Sequence, residues 1–513
     1  MIKYFIILFL SGVFSCFSCI SKKEKGEKLY RTYCTTCHIT PSIADLPKDI
    51  WLQSILPEMG YRLGIRDTSY DPLEGMTFKE MEAVYESGVY PGKQQISLKE
   101  WETLKEYVLA KAPEKLAEPP AKFNLGKMNQ FIAHEISLDS SKGAFITYLD
   151  YDDKNERIIF GDVSGNLSSY DPLNKVSTYI GFFRSGITDY IKKEHISYVT
   201  AVGNLDPSEQ RSGSILIIEN DSVKRIPENY HRPVNLLIRD LDKNGQDELI
   251  LSEYGHLTGK LSLLVKKGEL DYERKILLNK PGTIRVLAND MDGNGLDDLI
   301  ILSAQGDESI YIFFQEELLK FRIEQVFRFS PVYGCSWFEM VDYDDDGDED
   351  LIVANGDNMD KSYVSKPYHG VRILLNDGNN NFEEKSFIPL NGATRFVAND
   401  FDQDGDIDMG VVCSFPDYEK YPEYSFVYLE NENSKSFLFK KCIFDQSKKA
   451  RWFLIDSGDV DQDNDEDIII SAFSYAITPE VNEELERQFQ NDIDIMILEN
   501  QLLSKDPHLS KSK

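Results

Sequence analysis

Hydrophobic positions fall into three patterns along the chain. Residues 4 to 14, YFIILFLSGVF, form an unbroken apolar run directly after Lys3. Between about residues 24 and 115 the apolar residues recur at helical spacing. Leu98, Trp101, Leu104, Tyr107 and Val108 make one face of SLKEWETLKEYVLAKAP (residues 97 to 113), which predicts a helix. Beyond residue 124 the pattern changes to short aliphatic runs: LILS, LIILS, LIVAN, GVVCS and IIISA. A second run follows each of them: LSLLV, IYIFF, RILLN, FVYLE and IMILE. Runs of this length between turn residues predict buried strands. The chain is therefore multidomain, a small all-α region followed by a long all-β one.

The polar residues just ahead of the strands repeat as well. DLDKNGQDE begins at Asp240, DMDGNGLDD at Asp290, DYDDDGDED at Asp342, DFDQDGDID at Asp400 and DVDQDNDED at Asp459. Each stretch places side-chain oxygens at positions 1, 3 and 5 and a carboxylate at position 9. The candidate ligands are Asp240, Asp242, Asn244 and Glu248; Asp290, Asp292, Asn294 and Asp298; Asp342, Asp344, Asp346 and Asp350; Asp400, Asp402, Asp404 and Asp408; and Asp459, Asp461, Asp463 and Asp467. Position 6 is glycine in four stretches and Asn464 in the fifth, residues that tolerate positive φ. Oxygens at alternate positions around such a turn suit Ca2+. An EF-hand would carry a glutamate at position 12; here that position holds Leu251, Ile301, Val353, Val411 and Ile470, all apolar. The strands around these loops resemble the FG-GAP (VCBS) repeats of integrin-α-like propellers.

Successive stretches start 50, 52, 58 and 59 residues apart, the length of one four-stranded blade. Two degenerate loops, DYDDKNER from Asp150 and GNLDPSEQ at residues 203 to 210, bring the expected count to seven blades across residues 124–502. The net charge is -31, which argues against nucleic acid as a partner. The five stretches hold 26 acidic residues and one base, Lys243. About five calcium ions in a structural role are expected.

CTTCH, residues 34 to 38, belongs to the α region. Two thiols on one helix face, with a histidine directly after, match the C-x-x-C-H signature of covalent haem attachment. Cys34 and Cys37 would hold one haem c, with His38 as an axial ligand to iron. A zinc site would want a second cysteine or histidine pair nearby, and His38 is the only histidine between residues 1 and 133. KGEKLYRTYCTTCH and the helix at 97–113 resemble the first and last helices of class I cytochromes c, which cross beside the haem. The haem domain is placed at 20–116. The loop before the last helix, YPGKQQ, lacks the methionine that the resemblance would put there. Met59, expected in a short turn bracketed by proline and glycine, is preferred as the second axial ligand, with Met76 as the alternative. Met81 reads as a buried helix position.

The N-terminal run has the layout of a secretory signal. With Cys16 and Cys19 after it, residues 1–19 resemble a bacterial lipoprotein signal, with either cysteine as the lipid anchor. Export to the cell envelope as a membrane-anchored lipoprotein follows. AEPPAKF (117–123) reads as a linker and 503–513 as a disordered tail. Cys335, Cys413 and Cys442 allow at most one disulfide among themselves.

Arginines stand ahead of the strands leading into four loops: Arg232, Arg285, Arg395 and Arg451. At one propeller mouth they would form a face for an anionic ligand or an acidic protein. The whole arrangement resembles exported cytochrome c–VCBS proteins of Bacteroidetes-type bacteria. It implies a single-electron carrier with a redox partner protein and a propeller as docking or ligand-binding platform. The alternative is a quinoprotein-like dehydrogenase passing electrons to the fused haem. No catalytic histidine–aspartate constellation stands out for it, and His231 is the first histidine to test.

Overall fold

The computed structural model describes residues 21–67, 69–117, 125–138, 143–220, 222–358, 364–474, 487, 489 and 492–503. The signal region with Cys16 and Cys19, nearly all of the linker and the tail beyond 503 lie outside the described residues.

Seven sheets form a closed propeller. The innermost strands are Ile146–Asp152, Ile187–Lys193, Pro233–Arg239, Thr283–Asn289, Cys335–Val341, Ala393–Asn399 and Trp452–Gly458, numbered here as blades 1 to 7. Each lies beside its equivalent in the next blade, and the seventh returns to the first. The ring is closed by the N-terminal strand Phe131–Ile136, which pairs antiparallel with Ile495–Asn500 as the outermost strand of blade 7. Gly126–Lys127 adds a fifth, parallel strand to blade 6. Closure leaves only the outer strands as edges. Second strands such as Asp298–Ser303 and Asp467–Ala472 are buried along their whole length, which is why they read as unbroken aliphatic runs.

Every innermost strand carries a bulge after its first residue. The shared bulge keeps all seven strands in one register, so equivalent positions form layers around the axis. The five acidic stretches all connect first to second strands, at one end of the ring.

Two expectations about the degenerate loops are corrected. Asp150 and Asp152 lie inside the first strand of blade 1; the turn there is the short Asp153–Glu156 connection. GNLDPSEQ is not a first-to-second-strand loop at all. It joins the second strand of blade 2, Ile196–Ala201, to the third, Ser214–Glu219, on the face opposite the acidic loops. Blade 2 turns instead through Glu194, at φ 53°, and His195.

Among its described residues the N-terminal region holds five α-helices: α1 (Lys22–Tyr33), α2 (Lys48–Ile50), α3 (Leu56–Arg62), α4 (Phe78–Ser87) and α5 (Leu98–Lys111). Ser21 caps α1 in a reciprocal box with Glu24, and Thr77 does the same for α4 with Glu80. α1 crosses α5 at Gly26, where an added Cβ would stand 2.5 Å from the Tyr107 Cβ. The core between them is Leu29, Tyr30, Trp51, Leu56, Trp101, Leu104, Tyr107 and Val108.

The helices sit on the propeller face opposite the acidic loops. Val332, Tyr333 and Tyr368 join the helical core, and the Tyr368 hydroxyl donates to the Asp45 carbonyl at 2.6 Å. Leu257 packs with Tyr61, Leu73, Met76, Val84 and Tyr90. Glu80 of α4 accepts from the Glu209 amide at 3.2 Å. The segment read as a degenerate cation loop is thus part of the contact between the two regions.

Candidate functional site

The five acidic loops share one geometry. The position 1 carboxylate accepts from the amides of positions 5 and 6 at 2.8–3.1 Å in every loop. The position 5 side chain accepts from the amide of position 7. These bonds wrap the backbone so that the side chains at positions 1 and 3 point inward together. Positions 4 and 6 both have positive φ: Lys243 and Gly245, Gly293 and Gly295, Asp345 and Gly347, Gln403 and Gly405, Gln462 and Asn464. The left-handed residue at position 4 has no signature in the sequence, because five different environments tolerate lysine, glycine, aspartate and glutamine there.

The position 9 carboxylate anchors each loop to the sheet. Glu248, Asp298, Asp350 and Asp467 accept from the position 2 amide. Asp298, Asp350, Asp408 and Asp467 also accept from a third-strand amide at 2.6–2.7 Å. In four loops the oxygens of positions 1, 3 and 9 lie within 4.8 Å of one another. The fourth loop differs: its cluster is Asp400, Asp402 and Asp404. Asp408 instead takes the Tyr428 hydroxyl at 2.6 Å. Tyr428 occupies the register position held by Leu263, Ile312, Ile373 and Ile497 in the other blades, which have no hydroxyl to offer.

Burial, with the neighbouring carboxylates, pushes Asp298 and Asp350 up to about 6 and Asp467 up to about 8. Several carboxylates crowded at one point repel one another, and a bound cation would relieve both burial and repulsion. The donor set, all hard oxygens at short separation, fits a divalent cation of calcium type. Position 8 has a separate part that sequence reading missed: Asp247 pairs with Lys193, and Asp297 with Arg239, each from the preceding blade.

Cys34 caps the C-terminal end of α1, half-buried; Cys37 is exposed, and both are free thiols. Burial pushes the Cys34 thiol up to about 12. His38 Nδ1 meets the Ile39 carbonyl at 2.7 Å, which orients the ring and makes Nε2 its other nitrogen. Met59 lies in the same packed cluster as Cys34. It is on helix α3, however, and not in a turn: Pro57 sits in the first helical turn, where it is tolerated, and Gly60 lies inside the helix because an added Cβ would meet Trp101 at 2.9 Å. Met76 and Met81 belong to a different cluster, around Tyr61 and Leu73. Of Cys34, Cys37, His38 and Met59, only Cys34 and Met59 pack in the helical core; Cys37 and His38 lie in the bend that follows α1, so the two thiols do not share a helix face. Cys335, Cys413 and Cys442 are buried free thiols.

Of the four arginines, the structure brings two together. Arg285 makes a two-pronged pair with Glu339 at 2.8 and 2.9 Å and stacks 3.8 Å from the Trp337 ring centre. Arg395 stacks on the same ring at 4.1 Å. Arg232 is held elsewhere by the carbonyls of Gly255 and Leu205. Arg451 is buried near Phe415. A ring of four at one mouth is therefore replaced by a pair inside the axial channel, because the bulge places Arg285 and Arg395 on the axis and leaves Arg232 and Arg451 ahead of it. His231 is buried, its ring bonded to the Ser208 carbonyl and the Thr258 hydroxyl. It supports the Glu209 segment under the helices.

Residues 290–353 match a family model described as an FG-GAP-like repeat. That segment is the acidic loop of blade 4 through the second strand of blade 5. No curated protein matches the chain. Among solved structures, one similar chain is described as "Crystal Structure of the N-terminal Domain of Nup159". It is 11% identical, covers 74% of this chain and 98% of its own length, and has a TM-score of 0.41, a likeness too distant to bear on function. The chain thus contains an FG-GAP-like repeat within a seven-bladed propeller.

Proposed function

We propose that this protein is an exported c-type cytochrome whose propeller, stabilised by calcium, serves as a docking or ligand-binding platform. The observation that carries the reading is the C-x-x-C-H cluster, Cys34, Cys37 and His38, at the C-terminal end of α1, with Met59 packed in the same helical core as Cys34. Haem supplies one-electron chemistry when bound. The chain would contribute two thiols for attachment, the His38 imidazole and the Met59 thioether as axial donors, and an apolar core that limits water around them. The rigid contact through Tyr368, Leu257 and Glu209 would hold that centre at a constant position on the propeller, which suits relay to a redox partner protein. A lipidated Cys16 or Cys19 would tether the assembly to a membrane of the cell envelope.

The oxygen clusters of blades 3 to 7 would hold about five calcium ions. Their place in hairpins away from the helices favours a structural part over a catalytic one.

The test is the pyridine haemochrome spectrum and haem stain of the denatured full-length protein, made in a host that attaches haem to exported chains. Haem that stays with the wild-type chain and is lost from Cys34→Ala/Cys37→Ala supports the reading. A wild-type chain that folds and carries no covalent haem overturns it. The axial donor is checked by the methionine–iron absorption band of the oxidised protein. It should vanish in Met59→Ala and persist in Met76→Ala.

A further inference from the structure

The axial channel carries charge of both signs in one layer. The shared bulge aligns Tyr148, Asp189, Asn235, Arg285, Trp337, Arg395 and Leu454 from blades 1 to 7. Arg285, Trp337 and Arg395 come from consecutive blades, so the indole lies between two guanidinium groups. Asp189 stands on blade 2, across the axis from them. Its carboxylate accepts from the Leu236 amide at 2.8 Å and the Asn235 amide group at 3.2 Å. One layer on, Asp150, Glu339 and Asp456 project from blades 1, 5 and 7.

These groups are deep inside the ring yet only partly shielded from solvent: Asp150, Asp189, Arg285, Glu339, Arg395 and Asp456 are all half-buried. They line the axial channel. The carboxylate of Glu339 is taken up by Arg285. Arg395 makes no ion pair with any described residue, although the Asp189 charge across the axis and the Glu339 charge beside it both act on it. The two opposite charges are thus separated by more than a salt-bridge distance. Burial beside Arg285 pushes Arg395 down to about 10, so it remains a cation at neutral pH with an incompletely satisfied fork of donors.

Arg395 on blade 6 and Asp189 on blade 2 thus stand in one layer on opposite sides of the axis without pairing to each other, which suits a ligand carrying the opposite charge at each end. We infer that the axial channel binds a small zwitterion of the free amino-acid class, its carboxylate on Arg395 and its ammonium toward Asp189. A guanidinium fork matches a carboxylate in two parallel hydrogen bonds, and a carboxylate accepts well from an ammonium. A ligand with one charge would meet only one of the two groups. The inference is independent of the haem reading.

The test is calorimetric titration of the full-length protein with glycine, L-alanine and L-leucine. Each is compared with its carboxylate-only analogue (acetate, propionate, 4-methylpentanoate) and its amine-only analogue (methylamine, ethylamine, isopentylamine). At least one amino acid should bind at least tenfold more tightly than either analogue. Arg395→Gln and Asp189→Asn should each weaken it at least tenfold at unchanged melting temperature. No heat from any of the three amino acids, or equal binding of a singly charged analogue, would overturn the proposal. The analogue series on the wild-type protein decides the matter even where a channel variant fails to fold.

Discussion

Blades 3 to 7 and blades 1 and 2 reach the same four-stranded form by different means. In the first group a nine-residue loop joins the inner two strands, and a buried carboxylate at position 9 ties that loop to the sheet. Blades 1 and 2 turn through short hairpins. In blade 1, Asp152 accepts from the Asn155 amide, and Arg157 pairs with Asp171 on the third strand. In blade 2 the turn is Glu194–His195. Blade 1 also leaves Val176, Tyr179 and Phe182 exposed on its outer strand. A propeller blade therefore does not need the acidic loop to form. The loop adds a cluster of carboxylates that blades 1 and 2 lack; a cation bound there would make five blades dependent on it where two are not.

Cation removal is expected to have the largest effect on that contrast. A ligand at a thousandfold excess over its Kd adds about 4 kcal/mol to stability. Treatment with EDTA should therefore lower the melting temperature by about 10 °C, given 2–4 °C per kcal/mol for a large domain. Hydrogen exchange should rise in the loops of blades 3 to 7 and stay unchanged in the hairpins of blades 1 and 2. Equal melting with and without EDTA would remove the cation from the account.

Next in size is Asp467→Ala, which strips partners from the amides of Val460 and Asn500 and should destabilise the propeller by roughly 2–4 kcal/mol, read by urea unfolding. Asp152→Ala, in the hairpin of blade 1, should cost under about 1 kcal/mol. Gly26→Ala would press on Tyr107 and should cost about 1–3 kcal/mol. The loss should appear in the helical region alone, with exchange in the propeller strands unaltered; a uniform loss would show that the two regions unfold as one.

A pH dependence is also expected. Burial pushes Asp150 up to about 8 and Asp456 up to about 7, both well above an unfolded aspartate near ~3.9. The folded state therefore favours their protonated forms. Their contribution is fully present below about pH 4 and is lost as pH rises through 7 to 8. Asp150→Asn should flatten the fall of melting temperature between pH 6 and 8 relative to wild type. An unchanged slope would mean that Asp150 titrates normally.

The acidic loops were legible in the sequence because local hydrogen bonds set their geometry. The bonds that wrap each loop, from positions 5, 6 and 7 to positions 1 and 5, all fall within nine consecutive residues, whereas the third-strand amides, Tyr428 and the position 8 partners Lys193 and Arg239 come from outside. The α1–α5 pair was legible for a similar reason, from its helical spacing. The helical state of Met59 was misread because proline and glycine suggest a turn, whereas the core around Trp101 stabilises a helix through both. GNLDPSEQ looked like an eroded loop from composition alone, and its position between second and third strands depends on how blade 2 pairs.

What the chain determines by itself is periodic or contiguous: strand runs, the loop repeat and the CTTCH cluster; the count of seven blades agreed with the structure, but one of the two loops it was counted from is not a first-to-second-strand loop. The tertiary structure decided the rest. It set the bulge register that layers seven inner strands, the meeting of Arg285, Trp337, Arg395 and Asp189 in one channel, and the seating of the helices on the face opposite the acidic loops. Those contacts join residues from about fifty to more than three hundred positions apart. Such distances leave no local pattern to read, because only ring closure brings the partners together.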